Sequence, residues 1–230
     1  MELYTFFVNF FRQGGVFLYP IALVFAVGVA IAIERFIYLT KETIGNRSLW
    51  DDLVPYLQSG NFKAAVGRIS DSSASIGTVL KYGMARIQSA RRRDDIEKAM
   101  EEGMLEIIPR LEKRTHYLST LANVGMLMGL LGTVIGLIGA FGAVATANPA
   151  EKASLLAASI SVAMNNTASG LVVAITLLLA NMFLETKTTR LIDSLEIASV
   201  KFLNAVTERA GGDGPAAPAP APRGASPRMA

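Results

Sequence analysis

Two uncharged, largely apolar runs lie almost back to back in this chain, Tyr117–Ala150 and Ala153–Leu184, separated only by Glu151 and Lys152. A hydrocarbon core of roughly 30 Å is crossed by ~20 helical residues, so each run is long enough to span and to project beyond the lipid. The pair predicts two membrane helices joined by a tight turn at Ala147-Asn148-Pro149. A third uncharged run, Val16–Ile33, follows the break at Gly14-Gly15 and ends at Glu34-Arg35. Tyr19-Pro20 sits near its start, where a helix tolerates proline. The expected fold class is an all-α integral membrane protein, with three transmembrane helices extended into a cytoplasmic helical bundle.

The remaining segments fall between these spans. Residues 1–13 carry Leu3, Tyr4, Phe6, Phe7, Val8, Phe10 and Phe11, too few to cross a bilayer, and read as an interfacial amphipathic segment. They have no basic leader and no small-residue cleavage site, so no cleaved signal peptide is expected. Residues 14–39 form the first transmembrane helix and 40–116 a polar helical insert. Within the insert, Trp50–Leu57, Phe62–Ile69, Ile76–Arg91 and Asp94–Lys113 read as separate helices. Asp94-Asp95 suits a helix start, and Pro109 is expected to kink the last helix. The second span covers 117–147, the turn 148–152 and the third span 153–184. An amphipathic extension covers 185–210, and a Pro/Ala tail, 211–230, is expected to be disordered because it has too little to bury.

Charge placement orients the chain. Of 22 Lys and Arg, 13 fall in residues 41–120 and 6 after residue 184, with Arg35 beside the first group. Only Arg12 and Lys152 remain for the other side. Cytoplasmic loops carry the excess of basic residues. The insert and tail are therefore cytoplasmic, and the N-terminus and the Asn148 turn face outward.

The chain contains no cysteine and one histidine, His116, at the cytoplasmic mouth of the second span. No nucleophile–base pair, metal-ligand cluster or phosphate-cradling loop can be assembled, so neither an enzyme nor a nucleic-acid binder is expected. At about 100° per residue, Gly125, Gly129, Gly132, Gly136, Gly139 and Ala143 fall on one narrow helical face. Such a stripe admits another helix at short range. On the third span, Ser154, Ser161, Asn165, Ser169 and Thr176 cluster within about 80°, while Thr167 points to nearly the opposite side. One set faces water and the other bonds neighbouring helices. Asn165, Asn166, Ser169 and Ser161 are thus candidates for a secondary polar lining or for interhelix contacts. No Asp, Glu, Lys or Arg lies within the three membrane cores. An ion path normally needs an ionisable group at depth, so a conducting chain of this kind requires a second protein, whereas a non-conducting scaffold that clusters a partner does not.

Several blocks resemble the MotA/TolQ/ExbB proton-channel family. They are Leu118-Ser119-Thr120-Leu121-Ala122-Asn123-Val124, Gly129-Leu130-Leu131-Gly132-Thr133-Val134-Ile135-Gly136 and Asn166-Thr167-Ala168-Ser169-Gly170-Leu171, with Ile33-Glu34-Arg35-Phe36 on the first span. Three crossings are similar to the TolQ/ExbB-type branch. The resemblance implies a homopentamer around a central pore, enclosing two copies of an ExbD/TolR-like single-span partner whose membrane aspartate carries the ion. It implies no cofactor, only a transported H+ or Na+, with Thr133 and Thr167 as pore-lining residues of the ion pathway. It further implies the bacterial inner (cytoplasmic) membrane, with a periplasmic N-terminus and cytoplasmic C-terminus, and work passed to a TonB/TolA-like or gliding-machinery envelope protein. Two departures stand out. ExbB-type proteins carry a glutamate five residues before the second threonine, where this chain has Val162. Many relatives have a proline near Asn123-Val124, where this chain has Gly125-Met126, so a kink there must come from glycine.

Overall fold

A computed structural model of the chain describes residues 15–87 and 92–212, with side chains up to Thr207. The expected interfacial segment 1–13, and the tail beyond residue 212, lie outside the described residues. Those described form six helices and no strand: α1 (Leu18–Ser59), α2 (Phe62–Asp71), α3 (Ser75–Ile87), α4 (Arg93–Glu112), α5 (His116–Thr146) and α6 (Lys152–Gly212). Three stretches, within α1, α5 and α6, are long and apolar enough to cross a membrane, and most of their surface is unburied within the chain. Large apolar side chains such as Leu127, Ile138, Phe141, Val172, Leu179 and Phe183 stand exposed along them. In water such a surface would be untenable. The chain is a multi-pass membrane protein.

α1 corrects the sequence reading. Helix was expected to stop near residue 39 and restart at Trp50; instead one helix runs from Leu18 to Ser59. No residue between Thr40 and Trp50 breaks it, and its buried face continues in helical register through Arg35, Leu39, Asn46, Leu49, Leu53 and Leu57. It ends at Gly60, whose φ of 75° lets the Asn61 N–H reach back to the Tyr56 carbonyl. Asn61 then caps α2 by accepting from the Ala64 N–H at 3.2 Å. α3 docks on α1 through its first turn: the Glu42 carboxylate accepts from the Ser75 N–H (3.2 Å) and hydroxyl (2.7 Å), and Asn46 Oδ1 accepts from the Ile76 N–H (3.0 Å). The Asp95 carboxylate closes the start of α4 by accepting from the Arg92 N–H. Pro109 lies inside α4 without ending it.

α6 is a single helix of 61 residues. The expected 153–184 span and 185–210 extension are one element, continuous through Gly211 and Gly212. Its buried positions Leu177, Leu184, Leu191, Leu195, Ala198, Phe202 and Val206 recur every three, four or seven residues. That spacing keeps one seam against α1 and α5 in the apolar half and against α3 and α4 in the charged half.

The break between α4 and α5 is held from α1. At Lys113–Thr115 the chain turns, with Arg114 in the left-handed region at φ 67°. Arg35, only 3% exposed, donates to the Leu111 carbonyl, one of the orphan acceptors at the end of α4. Its guanidinium also lies 4.7 Å from the Tyr38 ring centroid. The neighbouring Glu34 pairs with Arg114 at 2.9 Å, with both side chains about half exposed. Arg35→Leu strands a buried carbonyl and is expected to cost about 1–3 kcal/mol. Arg114→Gln removes a solvent-screened pair and should cost under about 1 kcal/mol. Thermal unfolding in detergent orders the two; equal midpoints for both variants would refute the assignment of the clamp to Arg35.

Candidate functional site

α5 and α6 run antiparallel around the turn Ala147–Glu151, where the Glu151 N–H bonds the Asn148 carbonyl at 2.9 Å. Their contact is made of glycine. A Cβ at Gly129 would lie 2.8 Å from the Asn166 carbonyl oxygen and 2.9 Å from Gly170 Cα. A Cβ at Gly170 would lie 2.7 Å from the Gly125 carbonyl oxygen. Neither obstacle is a flexible side chain, so backbone meets backbone. Gly125 faces Val173, Gly132 faces Asn166 and Gly136 faces Ala163. Gly139 does not belong to this seam: it is exposed, with nothing among the described residues within 4 Å of its Cβ position, and Ala140 is buried instead. A stripe drawn at a fixed angle favoured Gly139; the seam follows the crossing of two real helices and shifts by one residue. Gly170, the counterpart on α6, was read only as part of a motif. Its signal lay in the spacing of Ala163, Asn166, Gly170 and Ala174, small or polar residues three or four apart.

This close approach brings Thr133 and Thr167 together. Their Oγ1 atoms lie 3.3 Å apart, and Thr167 Oγ1 is also 3.4 Å from the Gly129 carbonyl. Thr133 donates its one hydroxyl proton to the Leu130 carbonyl at 2.5 Å. Toward Thr167 it can therefore only accept. Thr167 has one proton for two acceptors, the Thr133 oxygen and the Gly129 carbonyl, and either choice leaves both hydroxyl oxygens with lone pairs. The pair presents acceptors, which suit a cation or a protonated group. Both side chains are half-buried, on the flank of the glycine seam. Beside them Asn166, 3% exposed, has an Oδ1 with no hydrogen-bond partner among the described residues.

The other predicted polar residues are placed differently. Ser169 is buried and donates to the Asn165 carbonyl at 2.6 Å, while Asn165 is half-buried and Ser161 exposed. Ser154 and Thr176 are exposed and donate to the Glu151 and Val172 carbonyls. Ser154, Ser169 and Thr176 thus spend their hydroxyl protons on carbonyls three or four residues back in the same helix. At the position of the ExbB-type glutamate, Val162 packs its Cγ1 3.4 Å from the Cβ position of Gly15, an apolar contact. Among the described residues no three His, Cys, Asp or Glu side chains gather as metal ligands would.

Two tightly packed membrane helices thus carry a hydroxyl pair, with no carboxylate at its depth among the described residues. The chain belongs to the MotA/TolQ/ExbB proton channel family, whose model matches residues 71–197. It is 29% identical over 196 residues to a Methanothermobacter thermautotrophicus protein named as a homolog of the biopolymer transport protein ExbB, covering 83% of this chain and 67% of that one. It is 28% identical over 172 residues to the ExbB-like 3 protein of Synechocystis, covering 74% and 81% of the two chains. A third relative, biopolymer transport protein exbB1 of Vibrio cholerae, is 28% identical over 172 residues, covering 71% and 72%.

Gly170→Leu places a side chain against the backbone of α5 and is expected to separate the two helices, lowering the detergent unfolding midpoint well below that of Gly139→Leu. The same midpoint for both variants would contradict the seam.

Proposed function

We propose that this chain is the stator and channel subunit of a motor driven by an ion gradient across the bacterial inner membrane. Five copies surround two copies of an ExbD/TolR-like single-span partner. The partner's membrane aspartate carries H+ or Na+ past Thr133 and Thr167, and the energy is delivered to a TonB/TolA-like or gliding-machinery envelope protein. The N-terminus is periplasmic and the charged helices are cytoplasmic, in line with the basic residues. The observation that carries this reading is the Thr133–Thr167 hydroxyl pair in spans without a carboxylate. Acceptor oxygens lower the cost of a protonated or sodium-bound aspartate passing through a low-dielectric site, and they offer nothing to hold an ionised one. Neutral and charged states of the carrier are therefore bound unequally, which is what shifts a population between positions.

The alternative, a non-conducting scaffold built on the glycine stripe, has less support. Gly125, Gly129, Gly132 and Gly136 are used up within the chain, against α6, and leave little of the stripe for a partner.

Native mass spectrometry of the protein gently extracted from its own membrane is expected to give a mass of five copies plus two of a small single-span protein with a membrane aspartate. A persistently partner-free oligomer under mild crosslinking would remove the carrier and with it this reading. Thr167→Val is isosteric and removes only the oxygen. It is expected to assemble normally yet lose about ten-fold or more of ion-driven work, the scale of one hydrogen bond to a charged group. Thr167→Ser should retain most of that work. Wild-type activity in the valine variant would exclude the hydroxyl pair from the ion path.

A further inference from the structure

A polar cavity of about 570 Å³ opens where α5 begins and α6 leaves the apolar zone. Glu112, Thr115, His116, Ser119, Asn181 and Glu185 line it, with Thr188 and Thr189. Two carboxylates face it and no lysine or arginine does. Its hydroxyls are turned inward to the helices: Ser119 donates to the His116 carbonyl (2.9 Å), Thr188 to Leu184 (3.0 Å) and Thr189 to Glu185 (3.1 Å). Outward they offer only lone pairs. Thr115, 7% exposed, has an Oγ1 buried without a hydrogen-bond partner, and Asn181 Oδ1 is likewise unpartnered. Asn181 directs its amide nitrogen to Glu185 at 3.4 Å. The Thr115 hydroxyl is thus unmet as donor and acceptor alike, and Asn181 Oδ1 as acceptor, beside two carboxylates.

The cavity is also in register with the threonine pair. Ser119 precedes Thr133 on α5 by about 14 residues, and Asn181 follows Thr167 on α6 by about 14. On antiparallel helices both offsets lead the same way, roughly 21 Å along the axis. Fourteen residues fall within about 40° of four full turns, so each lies on the helical face of its threonine. Between the two levels those faces carry Leu130, Met126, Leu171 and Leu178, which are exposed and cannot hold an ion.

We propose that this cavity is a vestibule for a hydrated monovalent cation at the cytoplasmic end of the ion path. Its position on that path rests on the channel reading above; its cation preference rests on its own lining. An ion released from its carrier crosses a mainly apolar stretch before it meets these groups. Glu112 and Glu185 raise the local cation concentration, while the outward lone pairs of Ser119 and Thr189 replace water ligands.

The chain has no cysteine, which gives a clean background for a test on the full complex in inverted membrane vesicles. Ser119→Cys and Asn181→Cys are reacted with the cationic thiol reagent MTSET and the anionic reagent MTSES, and each rate ratio is normalised to Ser59→Cys at the distant end of α1. The normalised ratio is expected to favour the cation by about ten-fold, and to fall several-fold when Glu112→Gln and Glu185→Gln are added. If Asn181→Cys does not assemble, Ser119→Cys alone decides. A ratio of one, or a preference untouched by the glutamine substitutions, overturns the proposal. Thiol reactivity is read without ion flux. A cation preference in a complex that conducts nothing keeps the cation site and removes the channel reading; flux without the preference removes the vestibule alone.

Discussion

Gly129 and Gly170 face each other with no room for a Cβ on either side, and the arrangement of the membrane half follows from that contact. Helix association in lipid gains no hydrophobic driving force, so dispersion between closely fitted backbones has to supply it. A threonine hydroxyl reaches only a short way from its helix. Thr167 can touch Thr133 and the Gly129 carbonyl because the axes are drawn together one turn away. The same proximity seats the Asn166 side chain over Gly132. Larger residues at the seam would leave these polar groups in place but out of reach, each unpartnered in an apolar medium.

The spans, the turn at Asn148 and the glycine face were legible in the sequence because they depend on run length and helical period alone. So were the break at Gly60 and the start of α4, which depend on local backbone chemistry. Features set by distant partners were not. The continuity of α1 through Thr40–Leu49 depends on a buried face that exists only once α3 is docked through Glu42 and Asn46. Arg35 served as a topological marker, yet it is buried and bonded to a carbonyl far along the chain. The exchange of Gly139 for Ala140 at the seam required the real crossing of α5 and α6. The polar stripe was read from angle alone, which does not say that a hydroxyl has already been satisfied by its own helix.

A common chemistry links the two polar levels. At Thr133, and at Ser119, Thr188 and Thr189 in the Glu112–Glu185 cavity, hydroxyl protons are committed to main-chain carbonyls. What remains for a visitor is oxygen. A helix thus converts serine and threonine, which in solution donate and accept equally, into a one-signed surface without placing a formal charge in the bilayer. That is compatible with a membrane core in which an ionised side chain would be costly to maintain.

The uninterrupted course of α6 has a mechanical consequence. From Lys152 to Gly212 it is one hydrogen-bonded rod, about 90 Å long by its rise per residue. No proline, loop or unwound turn along it can absorb twist. Thr167 is rooted in its upper part and Leu195, Phe202 and Leu203 in its lower part, where α3 and α4 grip it. An angular displacement imposed beside the threonines therefore reappears at the aqueous end with little slip. The two halves of α6 are mechanically continuous, and a displacement in one meets no hinge before it reaches the other.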